Sequence, residues 1–375
     1  MKKLCALLAA AAALCAFSAE AAQAAAQRPI RLKMQTQFMD RHPIVQKVWK
    51  PWIEEIKKRT NGRVIITFYN PNTICPDGEL LDAVIKGQVD IGDHQTTRNP
   101  GRMPLNAVMA KLMPGSSVKA TTRAYWELYQ TTAEIQDEFK GMKVLGLHIA
   151  SPVEIHTKNK RVETLSDLKG LRLVGPGKDS MLIGKGLGAD PISQPGSEMY
   201  MALSRNMAEG AIYPIPVFRS FKLNEATKYT TLINSVSGSQ WMAMNQATWD
   251  KLPPDVQKVF EETIGEVMSM AMAVAIMEGT AEDIEAMKKE GHEFIIMSGE
   301  ERGKCFEQLM PVLKAGWLEE LGSQPKIADP DALYQKAQEL VNKYSDIERA
   351  QAGKEKADYQ QQRLPLKNGS VTEPC

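Results

Sequence analysis

Between Leu165 and Tyr229 short apolar segments alternate with helical runs at a spacing that few folds accept. Leu171–Val174, Asp190–Ser193 and Ala211–Tyr213 read as strands, and Asp179–Leu187 and Ser197–Asn206 as helices. Gly188 and Gly210 follow the helical runs, where chain-reversing residues belong. Strand, helix and strand in such short order read as parallel strands covered by their connecting helices. An α/β sheet is therefore expected for this part of the chain.

The region upstream repeats the same logic. Ile30–Gln35 reads as a first strand, and Asp40-Arg41-His42-Pro43 as a helix start with proline in the first turn. Val45, Trp49, Trp52, Ile53 and Ile56 lie at helical spacing until Asn61-Gly62, and Pro51 is expected to kink that helix or split it in two. Arg63–Tyr69 is apolar on both faces, as a buried parallel strand would be. A helix over Glu79–Lys86 and a strand over Val89–Gly92 follow. Thr121–Phe139 is a strong amphipathic pattern with Ala124, Leu128, Ile135 and Phe139 on one face, and Met142–Ile149 is a strand at a crossover.

Downstream, Ser237–Asn245 reads as a strand returning to the first region. Asp255–Lys289 is helical in pattern and free of proline, so as one helix it would extend roughly 50 Å and bridge two lobes. Glu293–Met297 is a last short strand, Arg302–Glu320 and Ala332–Tyr344 are helices, and the chain is polar from Gln351 onward.

At 375 residues the chain exceeds one ordinary core, so two lobes are expected. Its 46 basic and 45 acidic residues nearly cancel, which gives no electrostatic reason to propose nucleic acid or an anionic membrane as partner. Met1-Lys2-Lys3, the apolar run Leu4–Phe17 and the small residues Ser18–Ala26 have the form of a cleaved secretory signal, so the mature protein is expected in the periplasm. No other stretch is long and apolar enough for a membrane span. Signal removal leaves Cys75, Cys305 and Cys375, at no metal-ligand spacing; one disulfide would leave one thiol, and all three pairings are open.

The ordered recurrence of several short motifs resembles the substrate-binding proteins of tripartite ATP-independent periplasmic (TRAP) transporters, of the DctP type. They are Glu79-Leu80-Leu81-Asp82-Ala83-Val84 with Asp90-Ile91-Gly92, Gly101-Arg102-Met103-Pro104-Leu105, Asp167-Leu168-Lys169-Gly170-Leu171, and Glu198-Met199-Tyr200-Met201-Ala202-Leu203. Glu209-Gly210, Glu225-Ala226-Thr227-Lys228-Tyr229, Met244-Asn245 and Trp249-Asp250-Lys251-Leu252-Pro253-Pro254 continue the series. The resemblance implies an α/β, two-lobed, periplasmic-binding-protein-like fold. Each lobe would be a mostly parallel sheet flanked by helices, and a long helix would bridge the two. The corresponding division is a signal peptide at 1–26, lobe I at 27–149 with 237–252 returning to it, lobe II at 150–236, the bridging helix at 253–290, C-terminal helices at 291–350 and a polar tail at 351–375. It further implies capture of a small organic solute by hinge closure and delivery to TRAP permease subunits in the membrane. A periplasmic enzyme or a sensory binding protein on the same scaffold is the alternative.

Catalytic and cofactor motifs do not compete with that reading. Gly186 stands where a phosphate loop would need Ser or Thr after Lys185, and the five histidines, His42, His94, His148, His156 and His292, form no HExxH and no helical pair. Most of the twenty methionines lie in apolar helical runs such as Met268, Met270, Met272 and Met277, where they fill a core. No catalytic residue, metal or cofactor is expected.

Ligands of open α/β sheets sit beyond the carboxyl ends of strands, which makes His94 and Gln95 binding candidates, with Gln37 and Phe38 beyond the first strand. In the resembled family an arginine on the strand after D-L-K-G-L clamps a ligand carboxylate; that position is Val174 here, and a second such arginine would fall at Val153. An ordinary dicarboxylate is therefore not the expected ligand unless Arg172, Arg219 or Arg98 reaches the cleft, and Arg172, sharing a strand face with Val174, is the least strained replacement. Glu154 would favour an amine or several hydroxyls. Tyr213, where the family often carries an asparagine, joins Phe218 and Trp241 as a candidate aromatic box for a flat or cationic ligand.

Overall fold

The computed structural model describes residues 28–362 apart from 100, 113–116, 237 and 323–326, so the expected signal segment and the last residues of the tail, with Cys375, lie outside the described residues. The strands are β1 (Ile30–Thr36), β2 (Val64–Tyr69), β3 (Ile91–Gln95), β4 (Met142–Ile149), β5 (Val153–Thr157), β6 (Arg172–Gly175), β7 (Asp190–Ser193), β8 (Gly210–Pro214), β9 (Tyr229–Leu232), β10 (Ser239–Asn245) and β11 (Glu293–Ile296). The α-helices are α1 (Lys50–Arg59), α2 (Leu80–Ile85), α3 (Val118–Thr131), α4 (Ala133–Asp137), α5 (Gly177–Gly186) and α6 (Gly196–Ser204). They continue with α7 (Ile215–Ser220), α8 (Gln246–Asp250), α9 (Pro254–Glu261), α10 (Glu266–Lys289), α11 (Gly299–Leu321) and α12 (Pro330–Gln362).

Two sheets result, in the orders β2-β1-β3-β10-β4 and β11-β9-β5-β8-β6-β7. β1 runs parallel to β2 and β3. In the second sheet β8, β6 and β7 are parallel, as are β9 and β11, while β5 is antiparallel to both β8 and β9. The βα units read between Leu165 and Tyr229 are thus the parallel half of a mixed sheet.

The chain divides into two units. One runs through His94 and takes in Phe139–Gly146 and Trp241–Ala271; the other holds Gln95–Glu138, Leu147–Gln240 and the chain from Met272. Residues 95–138 group with the second unit, where α3 packs along α12.

Alternation along β6 sorts the core of the second unit onto two faces. Leu173 packs with Ile155, Ile183, Ile212, Leu309 and Leu313 on one side of the sheet. Val174 packs with Met199, Ala202, Leu203, Ala211 and Phe218 on the other. Each large apolar side chain buried this way contributes about 1.5–3 kcal/mol.

Three elements differ from expectation for identifiable reasons. Pro51, which has no N–H to donate, is preceded by a π-helical turn over Val45–Trp49 before α1 begins. Thr132 is extended, with φ −137° and ψ 107°, and separates α3 from α4. Gly265, at φ +74°, interrupts the long helical pattern between α9 and α10, and its N–H donates to Leu145 O at 2.7 Å. A helix of 24 residues, α10, therefore stands where one of 35 was expected from Asp255 to Lys289, and the division between units falls inside it. α12 runs past Tyr344 and Gln351 to Gln362. Among the described residues no helix is long and apolar enough to cross a membrane.

Candidate functional site

In the first unit the carboxyl ends of the parallel strands β1 and β3 gather buried polar groups. Gln37 donates its backbone N–H to Asp93 O at 3.2 Å and its Nε2–H to Asp93 Oδ1 at 3.3 Å. Burial drives the Asp93 pKa well above the usual carboxylate range against the lowering effect of that bond. Asp93 Oδ2 has no hydrogen-bond partner among the described residues. Phe38 stacks on His42 with ring centroids 3.9 Å apart, and burial lowers the His42 pKa to about 4. His94 belongs to β3 and is fully buried, its Nε2 3.2 Å from Asp77 Oδ1. Trp241 is also fully buried, and its ring closes against Gly92, where an added Cβ would meet Trp241 at 3.4 Å and Val84 at 2.5 Å. Cys75 is a free, buried thiol that receives a hydrogen bond from Gln35 Nε2 at 3.3 Å; Cys305, in the second unit, is free and buried as well.

In the second unit the residues named from sequence fall into two groups. Arg172, Val174, Glu154 and Phe218 have their contacts within the fold. Arg172 opens β6 at its amino end, with its Nε 3.4 Å from Glu209 Oε2. The Arg172 backbone N–H, and then its side chain, hold the Glu209 carboxyl below its ordinary value. Val174 is fully buried in the core. Glu154 is 2% exposed and its Oε2 accepts from the N–H groups of Ile233 at 2.7 Å and Asn234 at 3.0 Å. Asn234, at φ +48°, turns the chain so that both donors converge. Burial raises the Glu154 pKa to about 8, opposed by those two donors and by the charge of Arg302.

Phe218 lies flat on His156 with centroids 3.6 Å apart. His156 Nε2 is 2.9 Å from the Tyr213 carbonyl and its Nδ1 is 2.8 Å from Thr230 Oγ1, which in turn is 2.7 Å from His292 Nε2. A carbonyl only accepts, so the neutral His156 donates from Nε2 and Thr230 donates to Nδ1. Burial holds His156 neutral, with a pKa lowered to about 3. The chain of bonds anchors the Tyr213 carbonyl.

Tyr213 is the last residue but one of β8, half-buried, on the strand that runs parallel beside β6. A Cβ on Gly196 would lie 2.9 Å from the Tyr213 hydroxyl and 3.1 Å from Phe221, so this glycine lets both rings close over the start of α6. Tyr213 and Phe221 are tilted neighbours with centroids 6.3 Å apart. Burial raises the Tyr213 pKa, and the Arg98 charge pulls it back down. Gln194, just past β7, has a buried Oε1 without a hydrogen-bond partner among the described residues. Gln95 ends β3, with Nε2 3.4 Å from where a Cβ on Gly238 would stand.

Sequence reasoning did not single out Asp93, Gln194 or Phe221. A buried acid reads as a surface charge in sequence, and an orphaned acceptor becomes visible only once its surroundings are placed. Among the described residues no group of three His, Cys, Asp or Glu side chains is placed to hold a metal ion.

Polar groups gathered at the carboxyl ends of parallel strands, in each of two α/β units, are the arrangement of a protein that binds a small solute. The chain belongs to the bacterial extracellular solute-binding protein family 7, the DctP family, whose model matches residues 34–320. It is 27% identical to a TRAP solute-binding protein from Rhodoferax ferrireducens solved with copurified benzoate, with a TM-score of 0.73 over 85% of this chain and 99% of that one. A TRAP periplasmic solute-binding protein from Desulfovibrio salexigens is 29% identical, with a TM-score of 0.76 over 84% and 97%. The 2,3-diketo-L-gulonate-binding periplasmic protein YiaO of Escherichia coli is 25% identical over 288 residues, 76% of this chain and 85% of its own.

Proposed function

We propose that this chain is the periplasmic receptor of a TRAP transporter, binding a small organic acid and presenting it to the membrane permease. The observation that carries the reading is the alignment along 99% of the benzoate-bound Rhodoferax protein. The Rhodoferax protein was solved with benzoate and YiaO is a 2,3-diketo-L-gulonate-binding protein; both ligands are organic acids, which supports that class here. A ligand that binds a closed state better than an open one shifts the population toward it, and the permease would read that state. Within the second unit, Gln194 with its buried acceptor and Tyr213 beside Phe221 suit a ligand that offers a hydrogen-bond donor and an apolar face.

The test is a thermal-shift screen of the purified protein against C4-dicarboxylates, 2-oxo acids, aromatic acids, sugar acids, amines and polyols. A ligand at one hundred times its dissociation constant adds about 2.7 kcal/mol of stability, which an organic acid is expected to deliver. Recovery of the ligand unchanged after long incubation is the second expectation. A chemically altered product would favour the enzyme reading instead.

A further inference from the structure

Among the buried polar atoms of the first unit, Asp93 Oδ2 is the one that belongs to an acid and meets no hydrogen-bond partner among the described residues. The side chain is fully buried, and no cation among the described residues is paired with it. Its other oxygen is taken. Gln37 Nε2 donates to Oδ1 at 3.3 Å and the Gln37 backbone N–H donates to the Asp93 carbonyl at 3.2 Å, which fixes the acid at the end of β1, where Asp93 stands opposite Thr36 in register. The histidines at these strand ends have other partners: His94 Nε2 lies 3.2 Å from Asp77 Oδ1, and His42 Nδ1 accepts the Ile44 N–H at 3.3 Å. A bare carboxylate buried without a cation is costly, so the acid holds its proton. With Oδ1 accepting from Gln37, that proton sits on Oδ2, a donor without an acceptor. Packing alone gives no reason for such a group, since leucine would fill a similar space without the desolvation cost.

We propose that Asp93 binds solute as an un-ionised acid, its Oδ2–H donating to a carbonyl or carboxylate oxygen of the ligand. The inference rests on the solute-binding reading above and concerns the first unit alone. Ligands of open α/β sheets bind beyond the carboxyl ends of the strands, so the unsatisfied donor stands at the end of the sheet where a solute oxygen arrives. A neutral acid also suits an anionic solute, because an ionised one would set two like charges together in a buried site. An ammonium would need the carboxylate form, and with it the cost of stripping a buried acid of its proton. The residue therefore favours an acceptor-bearing acid over an amine.

The experiment is titration calorimetry of the purified protein with benzoate, pyruvate and benzylamine from about pH 6 to about pH 9, a range in which both acids stay ionised. Wild type, Asp93→Asn and Asp93→Leu are compared. Asparagine keeps an oxygen for Gln37 and puts an N–H where the O–H stood; leucine keeps the bulk and removes the donor. Wild type is expected to bind at least one of the two acids, and benzylamine far more weakly. Asp93→Asn should bind that acid within about threefold of wild type, and Asp93→Leu about tenfold or more weakly. Wild-type affinity should hold level or fall as pH rises, since the proton-bearing form is the one that binds. Leucine removes an unpaired polar group, so unliganded Asp93→Leu should melt no lower than wild type. Affinity that rises with pH, tighter binding of benzylamine, or Asp93→Asn as weak as Asp93→Leu overturns the proposal. So does Asp93→Leu binding as tightly as wild type. A wild-type protein that binds neither acid overturns it as well; the solute-binding reading then stands if another solute of the wider screen binds, and falls only if none does.

Discussion

Glu154 shows how a side chain legible as a charge in sequence takes a different part in the fold. Its carboxyl is committed to the N–H groups of Ile233 and Asn234, and burial raises its pKa to about 8 from an ordinary value near 4.5. Between those values the folded state holds a proton that the unfolded state releases. The contribution is therefore fully present below about pH 4.5 and is lost as pH rises through about 8. Glu154→Gln keeps an oxygen for the two donors and removes the titration. Denaturant unfolding should find the variant gaining on wild type steadily from pH 5 to pH 8, by up to a few kcal/mol; a pH-independent difference would refute this. The comparison cancels His156, which acts oppositely. Its lowered pKa removes stability as pH falls from about 6.5 toward about 3. Sequence placed Glu154 and His156 two apart on a strand and so on one face. It could not supply the partners, Asn234 and Thr230, which come from other segments more than seventy residues away.

The strands and helices were legible where period and punctuation agreed. Met142–Ile149 forms over its expected range, and the pairing of β6 with β7 and β8 is the one that two consecutive βα units require. β9 was not anticipated: Tyr229–Leu232 is short and holds two threonines, and it becomes a strand by pairing with β5 and β11. Gly210 was read as a residue that reverses the chain, and in the structure it also lets strands close up. A Cβ there would stand 2.2 Å from the His156 carbonyl oxygen and 2.8 Å from Leu173. Because the nearer atom is backbone, β5 and β8 must separate to accept it. Gly210→Ala should cost about 3 kcal/mol in chemical denaturation, whereas Gly78→Ala, with no atom within 4 Å of its added Cβ, should leave stability nearly unchanged. Equal effects of the two substitutions would show that the strands yield freely.

Two sheets and two units follow from length and βα repetition, but the path of the chain between them is not a matter of local pattern. Residues 95–138 group with the second unit because α3 lies along α12, more than two hundred positions later, and sequence periodicity carries no record of such a partner. The chain changes unit after His94, Glu138, Gly146, Gln240 and Ala271, so each unit is assembled from separated segments. Interleaving of this kind has a consequence for folding. A chain stopped at Gln240 would lose Trp241–Asn245 of β10, the strand seated between β3 and β10's other neighbour β4 in the first sheet. It would also lose β11 at one edge of the second sheet, and from α11 the core residues Cys305, Leu309 and Leu313. Neither unit would then have a closed core, although most of the strands would still be encoded. Such a truncation should show no cooperative thermal transition and leave no protease-resistant fragment, while the full chain resists digestion under the same conditions. Survival of a stable fragment would mean that one unit holds its fold without the segments that return to it. Where no fragment survives, formation of either unit depends on completion of the chain segments that return to it.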